Sequence, residues 1–317
     1  MIRVGVIGAG SFGREHARVY AQSANAKLVS VCDINEASGK RVAEQFNAAF
    51  CADYRELIGK VDAVSLAAPT VAHAEIACAL LDAGIHVLVE KPIARTLDEA
   101  DAMIRAAEQS GAVLQVGHLE RFNPAVIAAQ QIVTTPRFFE AHRLSLFTPR
   151  SLDIDVVMDL MIHDIDVVLS LTASPVREAR AAGIPILTPR IDIANARIEF
   201  ENGCVANLTA SRVSLEKVRK VRFFQPHEYV SIDYAAQEAA TVSVKPSADG
   251  KMTFDARALA VERDEPLRLE IEAFLAAVQG SEVRVSGAEG RRALQLAIEI
   301  VALISEHAER AGVPFAG

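Results

Sequence analysis

At 317 residues the chain exceeds one ordinary domain, so two domains are expected. Hydrophobic residues make up 51% and charged residues 23%, which excludes global disorder and leaves enough apolar surface for two cores. The formal net charge of −8 argues against a nucleic-acid binder, and no apolar run reaches the roughly 18 residues a bilayer span needs.

The first 120 or so residues alternate strand and helix patterns. Apolar runs at Ile2–Ile7, 28–32, 63–67, 87–89 and 113–116 read as strands. Helical patterns separate them at Ser11–Gln22, 37–46, 72–83 and 97–109. Short Val, Ile and Leu strands between helices predict a doubly wound parallel sheet covered on both faces. After Asn123-Pro124 the pattern changes. Pro124 suits the first turn of a helix running to about Val133. Strands are then expected at 138–146, 177–182, 194–200, Val205–Ser211, 218–224 and 229–233, with Asn202-Gly203 as a hairpin turn. A helix interrupts them at 155–171, and two more close the chain at 267–279 and 288–311. The fold class is therefore α/β: a parallel doubly wound domain over 1–122, then an α+β domain over 123–317 with an open, mostly antiparallel sheet. An open sheet presents a face to cover, so a homodimer or homotetramer through it is expected.

Several features are read conservatively. The basic run 217–222 alternates Lys and Arg with Val, as a strand with one solvated face would. Cys32, Cys51, Cys78 and Cys204 fit no zinc spacing, so no metal is expected, and the first three act as small hydrophobes. No basic-then-apolar leader opens the chain, and a cytoplasmic location follows as the default.

Gly8-Ala9-Gly10-Ser11-Phe12-Gly13 is GxGxxG, directly after the first strand and opening the first helix. Gly8 permits the tight turn, Gly10 lets a pyrophosphate approach the backbone, and Gly13 lets helix and strand pack closely. The helix start then offers free N–H groups to the phosphates. Asp33 ends the second strand, where a carboxylate accepts from ribose hydroxyls and repels a 2′-phosphate. No Arg follows it, so NAD is expected over NADP. Ala68, Pro69 and Thr70 follow the strand at 63–67, at the carboxyl edge where such sheets bind ligands. His73 follows them and either contacts the cofactor or packs the next helix.

Glu90-Lys91-Pro92 sits at the carboxyl end of the strand at 87–89, toward the nicotinamide half of the crevice. Oxidising an alcohol requires moving a hydroxyl proton as hydride leaves, and a Lys of lowered proton affinity can take part. In the helix 155–171, at 100° per residue, Asp155, Asp159, His163 and Asp166 share one face while apolar residues cover most of the rest. A polar stripe on such a helix needs a polar place to face, and a substrate cleft supplies one. His163 lies one turn after Asp159, so the carboxylate can orient the imidazole or share a substrate hydroxyl.

Together GAGSFG with Asp33, then APTVAH, then EKP, then the Asp159-x-x-x-His163 stripe, resemble the Gfo/Idh/MocA oxidoreductases over nearly the whole chain. The resemblance implies a Rossmann domain and NAD(P)-dependent oxidation or reduction of a hydroxyl on a sugar, inositol or nucleotide sugar. It implies that Lys91, Asp159 and His163 surround the reacting carbinol, with Lys91 or His163 moving the proton. Val116 to Pro124 (VGHLERFNP) further resembles the branch that oxidises C3 of UDP-N-acetylglucosamine to the 3-keto sugar. In that reading His118, Arg121 and Asn123 contact substrate, Arg121 pairing bidentately with a diphosphate. The competing reading has these three residues capping elements and sealing the joint between domains. Two other functions are weighed: a dehydrogenase of a free sugar or inositol, and a non-catalytic NAD-binding regulator.

Overall fold

The computed structural model describes residues 1–148, 154–246 and 252–312. Two compact units divide the chain, Met1–Leu119 with Glu265–Leu294, and Glu120–Asp264 with the chain from Gln295 onward.

The first unit holds β1 (Ile2–Ile7), α1 (Ser11–Gln22), β2 (Ala26–Cys32), α2 (Glu36–Gln45), β3 (Ala49–Cys51), β4 (Ala63–Leu66), α3 (His73–Asp82), β5 (His86–Glu90), α4 (Leu97–Ser110) and β6 (Leu114–Gly117). Its sheet is wholly parallel in the order β3-β2-β1-β4-β5-β6, so the order reverses between β1 and β4. Register aligns the carboxyl ends. Ile7 pairs with Cys32 and with Leu66, Leu66 with Val89, and Glu90 with Gly117. Gly8, Asp33, Ala67, Lys91 and His118 therefore leave the sheet along one edge, where the turnover of strand order opens a crevice.

The second unit contains α5 (Pro124–Gln130), β7 (Phe138–Leu144), α6 (Ile162–Thr172), β8 (Val176–Ile184), β9 (Ile193–Phe200), β10 (Val205–Ser211), β11 (Val218–Gln225), β12 (Glu228–Asp233), β13 (Glu238–Pro246) and β14 (Met252–Ala258). The eight strands order as β14-β13-β12-β11-β7-β10-β9-β8. Every neighbouring pair is antiparallel except β7 with β10. The expected fold class holds: a doubly wound parallel sheet and an open, mostly antiparallel one.

Two helices follow, α7 (Pro266–Val278) and α8 (Gly287–Ala311). The division differs here from a single boundary at 122/123. Ile271, Phe274 and Leu275 of α7 are at most 1% exposed and join one apolar cluster with Val4, Val6, Val19 and Tyr20. Burying three large side chains there is worth several kcal/mol, at about 1.5–3 kcal/mol each. That gain assigns α7 to the first unit although it follows the second in sequence.

Candidate active site

The glycine loop is shaped by contacts that admit no side chain at two positions. Gly8 has φ +95°, and a Cβ there would lie 2.5 Å from the Ala67 carbonyl oxygen. A Cβ on Gly13 would lie 1.8 Å from the Gly8 oxygen, inside any tolerable contact. Gly10 is different, since a Cβ there would meet no protein atom within 4 Å. Gly10 caps α1 with no side-chain hydrogen bond, and no acidic residue occupies the first turn. The helix start with Ser11 and Phe12 is thus electropositive.

Asp33 ties this loop down. Its Oδ2 accepts from the Ala9 N–H at 2.5 Å and its Oδ1 from the Asn35 N–H at 2.7 Å. Beside it is an apolar slot of about 120 Å³ lined by Ile7, Gly8, Cys32, Asp33, Ile34, Ala52, Tyr54, Ala68, Pro69, Ala72 and Ile76. Pro69 leads into a short 3-10 turn, Thr70–Ala72, ahead of α3.

His73 is 1% exposed and serves the loops rather than facing the crevice. Its Nδ1 lies 3.1 Å from the Pro92 carbonyl and its Nε2 2.9 Å from the Ala68 carbonyl. Burial lowers its proton affinity. The neutral ring donates to one carbonyl and only the protonated ring to both. Of the two readings weighed for His73, packing is the one its burial supports. It staples the turn after β4 to the turn after β5.

β5 ends at Glu90, and the Lys91–Pro92 peptide that follows is cis. One oxygen of the Glu90 carboxylate is held inside the protein: Oε1 lies 3.0 Å from His16 Nε2, on α1. A Cβ on Gly117 would lie 2.7 Å from that same oxygen, so glycine at the end of β6 makes room for it. Lys91, next along the chain, is partly exposed at the carboxyl edge.

The helix expected at 155–171 begins instead with a π turn, Val157–Met161, and becomes regular only in α6. A wider turn breaks the uniform 100° step on which the four-residue stripe rests. Asp159 and His163 remain partly exposed. Asp155 accepts the Ile191 N–H at 3.1 Å, and Asp166 is 2% exposed beside Arg121 Nη1 at 3.5 Å. The stripe therefore reduces to Asp159 and His163.

Of the two readings weighed for the segment 118–123, capping is the one that Asn123 supports. His118, Arg121 and Asn123 are 1%, 8% and 2% exposed. Asn123 Oδ1 caps α5 by accepting the Ala125 N–H at 3.1 Å, while Nδ2 donates to Glu120 Oε2 and to the Tyr234 carbonyl. Arg121 is likewise buried, with its Nη1 3.5 Å from Asp166 Oδ1. The reason lies in partners that sequence reading missed. Arg143, 3% exposed, donates Nε and Nη2 to the two oxygens of Asp164 at 2.8 and 3.0 Å, and Nη1 to Glu120 at 3.0 Å. Its guanidinium also stacks 5.0 Å from the Tyr234 ring centre. Burial alone would weaken the proton affinity of Arg143, yet the two carboxylates outweigh it and raise it. The acid-and-arginine pattern of 118–123 anchors α6 from beneath.

Comparison with known proteins agrees with this architecture. Residues 2–118 match the oxidoreductase family with the NAD-binding Rossmann fold, and residues 133–225 match the Gfo/Idh/MocA C-terminal domain. The chain is 38% identical over 318 aligned residues to UDP-N-acetylglucosamine 3-dehydrogenase of Acidithiobacillus ferrooxidans, covering 98% of this chain and 99% of that protein. A crystal structure of that enzyme superposes with a TM-score of 0.90 at 37% identity, over 96% of this chain and 98% of the other. Levoglucosan dehydrogenase, in complex with NADH and levoglucosan, shares the fold at a TM-score of 0.86 and 22% identity, over 96% and 97% of the two chains. Among the described residues no helix is long and apolar enough to cross a membrane. The chain belongs to the Gfo/Idh/MocA family of NAD-binding oxidoreductases.

Proposed function

We propose that the protein is an NAD-dependent dehydrogenase of a sugar hydroxyl, and that its substrate is UDP-N-acetylglucosamine, oxidised at C3 to the 3-keto sugar. The observation that carries this reading is the match to the A. ferrooxidans enzyme across nearly all of both chains. It is joined to a carboxyl edge at which Asp33 follows β2, the glycine loop follows β1 and Lys91 follows β5.

The cofactor fits what the first unit offers. The fold demands glycine at positions 8 and 13 but leaves position 10 open, which is the space a pyrophosphate needs against the α1 N-terminus. The apolar slot beside Asp33 suits an adenine, and the Asp33 carboxylate keeps lone pairs for ribose hydroxyls. A negative charge there disfavours the 2′-phosphate of NADP. Ser11, Phe12, Ala68, Pro69 and Thr70 would line the same path.

Bound NAD supplies the hydride acceptor, so the carbinol carbon loses a hydride and its oxygen becomes a ketone. The chain's own part is to remove the hydroxyl proton and hold the ring. Lys91 takes that proton onto its amine, and Asp159 and His163 hold the reacting hydroxyl and its neighbour by hydrogen bonds. Association of two or four copies through the outer face of the eight-stranded sheet completes the reading. A monomer by light scattering would end that part of it.

The test is NADH absorbance with UDP-N-acetylglucosamine, the free sugar and an inositol, with the product located by mass spectrometry. UDP-N-acetylglucosamine alone should turn over. Lys91→Met should lower kcat by about 10²–10⁴-fold while NADH binding, read by fluorescence, persists. Turnover of the free sugar or inositol instead replaces the substrate assignment. NAD binding without any turnover favours a regulator.

A further inference from the structure

Behind the carboxyl edge of the first sheet is a buried polar cluster that the reaction above does not use. Tyr20 and Ser65 are 2.9 Å apart, Ser65 and His16 Nδ1 are 2.9 Å apart, and His16 Nε2 reaches Glu90 at 3.0 Å. One arrangement of protons satisfies this chain: Tyr20 donates to Ser65, Ser65 to Nδ1, and Nε2–H to Glu90. Glu270 of α7 closes the cluster. It is 0% exposed, and neither carboxylate oxygen has a hydrogen-bond partner within the protein. Its oxygens, those of Glu90 and the His16 nitrogens offer atoms within 4.8 Å of one another.

An ionised carboxylate with no donor, sealed beside a second carboxylate, is too costly to persist. Two remedies exist, a proton or a cation. Both His16 nitrogens already lie at hydrogen-bond distance from Ser65 and Glu90, which favours the proton. We propose that Glu270 and Glu90 hold one proton between them, so that the cluster presents a single negative charge, carried by Glu90, next to the turn carrying Lys91. Burial, and then the neighbouring Glu90, raise the proton affinity of Glu270 well above that of an ordinary glutamate. The titratable groups facing Glu270 are His16 and Tyr20 from α1 and Glu90 from β5. β4 contributes Ser65, and β6 contributes Gln115, whose Nε2 donates to the Glu270 backbone carbonyl at 3.2 Å.

The consequence for Lys91 rests on its proposed role as proton acceptor, whereas the shared proton does not. With one charge nearby the amine can lose its proton near neutrality; with two it would be held as ammonium.

Infrared spectra of wild-type protein carrying ¹³C-labelled glutamate, at pH 8 where ordinary glutamates are ionised, read the proton directly. A band from a neutral carboxylic acid is expected, and Glu270→Gln should remove it. Its absence from the wild type, or one equivalent of a divalent metal by elemental analysis of the purified protein, overturns the proposal. The pH profile of kcat/KM reads the link to Lys91. Glu90→Gln should move the acid limb down by about one pH unit, while Glu270→Gln, a mimic of the protonated acid, leaves it in place. Equal shifts in both variants mean both acids are ionised. No shift in either, or a shift in Glu270→Gln alone, severs the link. Each of these three results overturns the single charge proposed beside Lys91. Failure of the substrate assignment is distinguishable, because wild type would then be silent toward UDP-N-acetylglucosamine while the infrared band persisted.

Discussion

The two units each bury a network of charge, and the networks are built on opposite plans. In the second, Arg143 and Arg121 face Asp164, Glu120 and Asp166, so every acid has a guanidinium within reach. In the first, Glu90 and Glu270 approach one another and His16, and neither carboxylate oxygen of Glu270 has a hydrogen-bond partner. Fixed ion pairs of the first kind suit a scaffold, because guanidinium does not lose its proton and its fork geometry is rigid. An acid buried without a hydrogen-bonded partner must take up a proton, and its charge then responds to pH and to neighbours. Electrostatic balance thus marks which of two equally buried networks merely holds the fold and which can serve chemistry.

The contrast can be broken most severely at Arg143. Arg143→Met leaves Asp164 and Glu120 buried without their partner and should cost about 3–5 kcal/mol in chemical denaturation. Arg143→Lys should recover only part, since one ammonium cannot make the paired contacts to Asp164. A loss near zero would mean the second network is not the scaffold described.

In the first unit the same kind of measurement should run the other way. The Glu270 proton affinity is raised in the folded protein, so the folded state binds more protons than the unfolded one once pH exceeds the ordinary glutamate value of 4.5. Stability associated with that proton is fully present below this pH and is lost as pH rises toward the folded value. Glu270→Gln cannot titrate. Its melting temperature relative to wild type should therefore climb steadily from pH 4 to pH 8. A constant difference would show that Glu270 does not carry the linked proton.

The smallest effect is expected at Asn123. Asn123→Ala removes the cap of α5 and should cost about 1 kcal/mol. KM for the sugar nucleotide should not change, because no group of Asn123 is left for a ligand. A several-fold rise in KM at unchanged stability would restore it as a substrate contact.

What the sequence allowed to be read follows the range of the interactions involved. The parallel strands were legible because apolar runs between helices report their own burial, and the glycine loop because Gly8, Gly13 and Asp33 act within one β-α-β unit. β3 is only three residues long, and β14 is exposed at every residue, with Met252 at 54% and Phe254 at 77% exposure. Neither carries a periodic pattern to detect. The π turn was invisible because a wheel with a constant step cannot register a change of step, and Asp166 was misplaced with it. Arg121 and Asn123 have side chains suited to binding a ligand. Only the three-dimensional fold brings Asp166 and Tyr234 against them. Glu270 carried no signal either, since an acid on an amphipathic helix reads as a solvated residue until its burial is known.

The return of α7 to the first unit constrains how the protein is made. During synthesis the nucleotide-binding sheet leaves the ribosome early but lacks Ile271, Phe274 and Leu275, which seal the apolar surface shared with α1. The chain must first deliver the intervening eight-stranded unit, so this sheet waits for a helix that follows that unit before it is complete. Any nascent chain stalled before residue 265 would present an open apolar face, the surface that chaperones hold and that drives aggregation.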